Sequence, residues 1–269
     1  MNRRALTLPP VAYGTWQLND ADAQRCVAAA IDDGYRLIDT AMRYHNEYGV
    51  GRGMRDSSVP REELMVATKL RGGDQGRDQA RRAFFASLRN LGTEYVDIYF
   101  IHWPLPRLGL YLESYETMLE LQADGYIRHL GVCNFPNRHL MAIKEEFDQY
   151  PVVNQFELHP GFPQHEWVEF CKANGIAVQG WGVIGRGRGL LDDAVVQQMA
   201  ADKGCSPAQL CIAWAATRGI CSIAKSATPE RWRANLAAAD IRLTDKELST
   251  LDAVDFPRTS KDPEVDEEY

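Results

Sequence analysis

The chain has 269 residues, 45% of them hydrophobic and 25% charged, the balance of a globular protein with a large core. Its net charge of −7 leaves no basic surplus to neutralise phosphates, which argues against a general nucleic-acid binder. No run approaches the roughly 18 apolar residues of a membrane helix. The segment MNRRALTLPP lacks the apolar stretch of a secretory leader, so the six cysteines, none in a CxxC pair, read as reduced thiols of a cytoplasmic protein.

In chain order, VAYGTWQL reads as a strand. A helix from Asp20 to Asp33 follows, with Asp20 as its cap and Gly34 ending it in a left-handed conformation. RLIDTA is a strand, the segment from Asn46 to Ser57 is helix-prone, and LMVATKL is a strand. RDQARRAFFASLRNLG is an amphipathic helix ending at Gly92, before the strand YVDIYFIHW. The helix YLESYETMLELQADG leads to the strand IRHLGVCN, and the helix around RHLMAIKEEF leads to VVNQFEL. HEWVEFCKANG is a helix before the strand AVQGWGV. Ser206, Pro207 and Gln209 have the form of a capping box with proline at the first helical position; that helix runs to Gly219, and ICSIA is the last strand.

Eight strands alternate with helices, and several strands are apolar on both faces, as buried parallel strands are. This pattern predicts a single (β/α)8 TIM barrel over residues 1–269, with a short acidic tail from about residue 257 that lies on the surface or folds over the barrel mouth. An open doubly wound sheet is the runner-up, but no GxGxxG follows an early strand.

Active sites of such barrels lie at the C-terminal ends of the strands. Asp39 ends RLID, Lys69 ends VATK and His102 ends IYFIH, while Tyr44 falls on the loop after Asp39. Taken singly, each has a structural reading: a turn cap, a solvated strand end, a hydrogen-bonded core histidine, a rim aromatic. Their joint placement on three consecutive strand ends points instead to proton donation. A phenol is a weak acid with an ordinary pKa near ~10. A nearby ammonium lowers that pKa, a carboxylate keeps the ammonium charged and oriented, and a neutral imidazole can donate to a carbonyl oxygen.

At these residues the chain resembles the aldo-keto reductase superfamily, and most of all its bacterial members similar to 2,5-diketo-D-gluconate reductases. The resemblance is carried by GYRLIDTAMRYHNEYGVG, LGTEYVDIYFIHWP, VVNQFELHP and IAKSATPERWRANL, which lie between about Gly14 and Asn235. It implies an NADPH-dependent reduction of an aldehyde or ketone on a barrel that binds the cofactor in extended form. The chain is read as a monomer with a small-molecule carbonyl substrate and no metal, nucleic-acid or membrane partner. The resemblance also implies that Asp39, Tyr44, Lys69 and His102 match the catalytic tetrad, with Tyr44 as the acid. Asn134 and Gln155 match the holders of the nicotinamide amide, and Trp181 the ring against its face. Lys225, Ser226, Arg231 and Asn235 surround the helix start at Thr228 and Pro229, a place that suits an anion and hence the 2′-phosphate of NADPH. Trp16 and Trp103 match substrate-lining positions, with Tyr48, His45 and the loop PLPRLGLY as possible additions, in a pocket that reads as aromatic and mostly neutral.

Four departures stand out. His45 replaces a usual glycine, Cys133 a serine expected to help hold the carboxamide, Gly182 the serine of a Trp-Ser-Pro-Leu segment, and Ala224 a proline. Together they suggest altered cofactor affinity or exchange. Two other readings compete. A metal hydrolase would need His102, His159 and His165 to cluster. A cofactor-binding regulatory or redox-sensing protein would bind NADPH with little turnover.

Overall fold

In the computed structural model, which describes residues 6–265, eight parallel strands close into a barrel in sequence order. They are β1 (Val11–Gly14), β2 (Leu37–Asp39), β3 (Met65–Leu70), β4 (Val96–Ile101), β5 (Ile127–Cys133), β6 (Val153–Glu157), β7 (Ala177–Trp181) and β8 (Cys221–Ala224). Pairing of Val11 with Ser222 and of Tyr13 with Ala224 closes β1 onto β8. This is the expected (β/α)8 barrel. Residues 1–5 and 266–269 of the expected single domain lie outside the described residues.

The helices are α1 (Asp20–Asp32), α2 (Glu47–Asp56), α3 (Arg77–Leu91), α4 (Tyr111–Ala123), α5 (Asn137–Phe147), α6 (His165–Ala173), α7 (Ala194–Asp202), α8 (Pro207–Thr217), α9 (Pro229–Ala237) and α10 (Asp245–Asp252). Three details differ from the sequence reading. The first strand stops at Gly14, because the chain turns at Gln17 with φ +65°. Asn19, not Asp20, caps α1: its side chain accepts from the Asp22 N–H, and Asp20 is the first helical residue. Two helices, α7 and α8, precede β8, and α10 follows α9. The capping box of Ser206 and Gln209 forms as expected, with Pro207 opening α8.

Side chains along a strand alternate between faces. Leu37, Ala67, Phe100 and Val153 belong to the apolar cluster inside the barrel, whereas Ile38, Val66, Ile101 and Phe156 join the larger core between barrel and helices. Two residues further along the inward register stand Asp39, Lys69, His102 and Gln155. The period of two therefore stacks a polar layer directly on an apolar plug, at the C-terminal end of the barrel. Nearby, α2 packs so closely that a side chain at Gly49 or Gly51 would meet the backbone of Asp20 or Leu91. Those glycines fix the helix that follows the Tyr44 loop.

Candidate active site

A cleft of about 540 Å³ opens over this polar layer. Asp39, Tyr44, His102, Asn134, Gln155, Trp181, Trp16, Trp103 and Lys225 all line it. Lys69 lies just beneath and is wholly buried. Its Nζ donates to Asp39 Oδ1 at 2.6 Å and to the Thr40 carbonyl at 2.9 Å, and stands 5.3 Å from the centre of the Tyr44 ring. The other Asp39 oxygen accepts from Gln155 Nε2 at 2.9 Å. Burial alone would strip the Lys69 charge, but Asp39 overrides it and holds the ammonium above the usual lysine range.

Tyr44 ends a single 3-10 turn, Met42–Tyr44, and its ring meets His102 edge-on at 5.9 Å. Burial pushes the phenol up to about 12, with Lys69 pulling the other way. The downward effect of Lys69 expected from the sequence is present, but burial outweighs it. Burial also lowers His102 well below the ordinary histidine value, and the charges of Lys69 and Arg43 add to this. Its buried Nδ1 has no hydrogen-bond partner among the described residues.

Asn134 takes a left-handed backbone, φ +60°, at the end of β5. Its amide donates to the His102 carbonyl at 3.1 Å and accepts from Trp181 Nε1 at 3.0 Å, which locks the indole at the cleft wall. Trp103 is buried, with its carbonyl held by Gln75 Nε2 at 2.8 Å, whereas Trp16 is 41% exposed. Arg186 spans the mouth: its guanidinium carbon lies 4.7 Å from the Trp16 ring centre and 5.6 Å from that of Trp181.

Lys225 reaches the cleft, but Ser226, Arg231 and Asn235 do not line it; they lie beyond it around the start of α9. Ser226 Oγ accepts from the Thr228 N–H at 3.0 Å, Arg231 is exposed and Asn235 is buried. His45 and Tyr48 do not enter the cleft either. They border a second hollow with Asp20, Glu47 and Arg71, and no residue of the loop 104–111 lines the main cleft. His45 takes φ +55°, the left-handed region that explains why glycine would be favoured there. Cys133 faces the apolar cluster inside the barrel, beneath the mouth. Gly182 has φ +71°, so a serine at this position would be strained whatever the space around it.

The part of the acidic tail that is described folds over the mouth. Both oxygens of Glu157, the last residue of β6, accept hydrogen bonds from Thr259 and Ser260, and Thr259, Ser260 and Lys261 line the cleft. The sequence pointed to this strap only as one of two places for the tail. The three histidines of the metal-hydrolase reading stay apart: His159 contacts Glu157, and His165 reaches Asp252. Among the described residues no group of three or more His, Cys, Asp or Glu side chains is placed to hold a metal ion.

The model of the Aldo/keto reductase family matches residues 10–255. The chain belongs to the aldo/keto reductase family. It is 43% identical over 260 residues to an aldo-keto reductase of Mycobacterium sp. (strain MCS), covering 96% of this chain and 92% of that protein. It is 37% identical over 259 residues to the methylglyoxal reductase DkgA of Escherichia coli (strain K12), covering 96% and 94%. Among solved structures, a mutant of Gox0644 in complex with NADPH matches with a TM-score of 0.91 and 34% identity, over 97% of this chain and 96% of that one. In this aldo/keto reductase, then, the polar layer lies under a cleft lined by both aromatic and amide side chains. No helix among the described residues is long and apolar enough to cross a membrane.

Proposed function

We propose that the protein reduces an aldehyde or ketone to the alcohol with NADPH, acting as a monomer on a small-molecule carbonyl in the cytoplasm. The observation that carries this reading is the buried Lys69–Asp39 pair, 2.6 Å apart, placed under a phenol and beside a neutral imidazole at the floor of a cleft. Nothing in the fold requires an ammonium there, and burying one is costly. The pair is intelligible as a device that keeps a positive charge next to Tyr44.

The residues fit the cofactor. Trp181 offers a flat ring fixed by Asn134, and Gln155 Oε1 accepts no hydrogen bond among the described residues, which leaves an acceptor for a carboxamide. Lys225 and the exposed Arg231 flank the start of α9, where Ser226 and Asn235 also lie, and neither cation makes an ion pair among the described residues. A 2′-phosphate suits such a place. When bound, NADPH supplies the hydride that reaches the carbonyl carbon.

This chain's own groups handle the oxygen. With no acceptor near Nδ1, the His102 proton belongs on Nε2, which then donates to the carbonyl oxygen and orients it. Tyr44 gives its hydroxyl proton to that oxygen as negative charge develops there, and Lys69 stabilises the phenolate that remains. Asp39 holds Lys69 in place, and solvent returns the proton to Tyr44. Trp16 and Trp103 wall the substrate side.

The test is loss of NADPH absorbance at 340 nm with methylglyoxal and a panel of aldehydes and ketones. Turnover by the parent and its loss in Tyr44→Phe are expected. Tight NADPH binding with no turnover across the panel would favour a regulatory role instead.

A further inference from the structure

Two buried tyrosines take no part in the polar layer of the cleft. Tyr13, on β1, and Tyr35, just before β2, are fully buried in the core between barrel and helices. Their rings meet edge-on at 5.4 Å, and the Tyr13 ring meets that of Trp232, in α9, at 6.1 Å. Each hydroxyl reaches a backbone carbonyl far along the chain. Tyr13 donates to the carbonyl of Ser226, 213 positions away, at 2.5 Å, and Tyr35 donates to that of Trp232 at 2.8 Å. Burial holds both phenols above the usual tyrosine range, so each stays a donor.

The two contacts differ in what they hold. Tyr35 grips α9 itself, which is also anchored by the Trp232 indole donating to Asp33 at 2.6 Å. Tyr13 grips the loop ahead of that helix. It pairs with Ala224 at the end of β8, two residues before Ser226, and so stands directly behind the segment from Lys225 to Thr228. In a planar trans peptide the C=O and the N–H point to opposite sides. Drawing the Ser226 carbonyl into the core therefore turns the N–H of Ala227 outward, and Ala227 is exposed. The Cys26 thiol, in the same core, approaches the next carbonyl, that of Ala227, at 3.9 Å. Successive carbonyls of this loop thus face inward. An outward N–H ahead of a helix start, between Lys225 and Arg231, is a donor suited to a phosphate.

We propose that Tyr13 is a positioning residue for cofactor selection: through the Ser226 carbonyl it aims the Ala227 N–H at the 2′-phosphate site and so favours NADPH over NADH. The proposal rests on the cofactor reading above and extends it to a residue that does not line the cleft. Phenylalanine would fill the same space but leave the Ser226–Ala227 peptide free to turn. A 2′-phosphate then loses an aligned donor, whereas NADH, with a hydroxyl there, has little to lose.

Tyr13→Phe is the test, with Tyr35→Phe as its control. Both remove one buried hydroxyl from the same cluster and keep the ring. Calorimetry gives the affinities for NADPH, NADH and adenosine 2′,5′-bisphosphate, which carries the phosphate without the nicotinamide. Tyr13→Phe should weaken NADPH and the bisphosphate by about tenfold, the scale of one charge-assisted hydrogen bond, and leave NADH within about twofold. Tyr35→Phe should keep the parental ratio of NADPH to NADH affinity. An unchanged ratio in Tyr13→Phe overturns the proposal, as do equal losses for both cofactors. The same shift in Tyr35→Phe also overturns it, because the hydroxyls would then only hold the helix in place. If the ratio shifts as expected while no carbonyl is reduced, the proposal stands and the reductase reading fails. If the parent binds neither NADPH nor the bisphosphate, both fail.

Discussion

Replacing Lys69 with Met tests the polar layer most severely. The side chain is fully buried and its partner Asp39 is 2% exposed, so neither charge can be rescued by water. Breaking such a pair by removing one member typically costs about 3–5 kcal/mol, because the other charge is left uncompensated. Here Asp39 keeps one hydrogen bond, from Gln155 Nε2 at 2.9 Å, and can protonate, so the lower end of that range applies, about 3 kcal/mol. With a urea m-value of about 3 kcal/mol/M, this lowers the unfolding midpoint by about 1 M. Asp39→Asn should cost a similar amount, since it leaves the buried ammonium with neutral carbonyl acceptors and no counter-charge. The double variant should then be more stable than the sum of the singles predicts, by at least about 2 kcal/mol, because no lone charge remains. Turnover should respond separately. Without Lys69 nothing opposes the burial that raises Tyr44, and kcat should fall about 10²- to 10⁴-fold. Urea titration followed by tryptophan fluorescence gives the stabilities, and NADPH oxidation gives kcat. If Lys69→Met unfolds at the parental midpoint, or the double variant equals the sum of the singles, the pair is not the buried, coupled unit described here.

Tyr44→Phe keeps the ring and removes the acid, so kcat should drop about 10²- to 10⁴-fold while NADPH affinity, titrated by fluorescence, stays within a few-fold; near-parental turnover would mean that the proton comes from elsewhere. Arg231→Ala should weaken NADPH about tenfold and leave NADH almost unchanged, and equal losses for both would remove Arg231 from the phosphate site. Because Tyr44 is raised to about 12 and His102 lowered well below its ordinary value, the phenol stays protonated and the imidazole neutral around neutrality. The pH profile of kcat/KM should therefore show no limb between about pH 5.5 and 7.5, and a histidine-like limb near ~6.5 would contradict this. At Glu157, burial pushes the carboxyl up, but hydrogen bonds from His159, Ser260 and Thr259 outweigh it and hold the group at about 2. A depressed carboxylate contributes stability that is complete above its unfolded pKa of ~4.5 and is lost as pH falls toward 2. Glu157→Gln should thus cost about 2–3 kcal/mol at pH 7 and progressively less below pH 4.5, and a deficit that does not shrink in acid would locate the role of Glu157 elsewhere.

The alternation of strand and helix was readable because each element is local. Capping boxes, left-handed glycines and apolar runs act over a few residues, and the ends of the apolar runs already placed Asp39, Lys69 and His102 at consecutive strand ends. Cys133 was harder, since only the closed barrel shows that its thiol belongs to the apolar plug rather than to the cleft wall. His45 and Tyr48 lie within four residues of Tyr44 in sequence yet border a different hollow, because the left-handed turn at His45 redirects the chain. The net sign of the Tyr44 shift also required the fold, since burial and Lys69 act in opposite directions and only their three-dimensional arrangement decides between them. The strap across the mouth joins Glu157 and Ser260, 103 positions apart. The sequence by itself determined which strand ends carry polar groups, because that depends on local periodicity. The tertiary structure decided which of those groups share a charge, a solvent shield or a cleft, because these depend on distance through space.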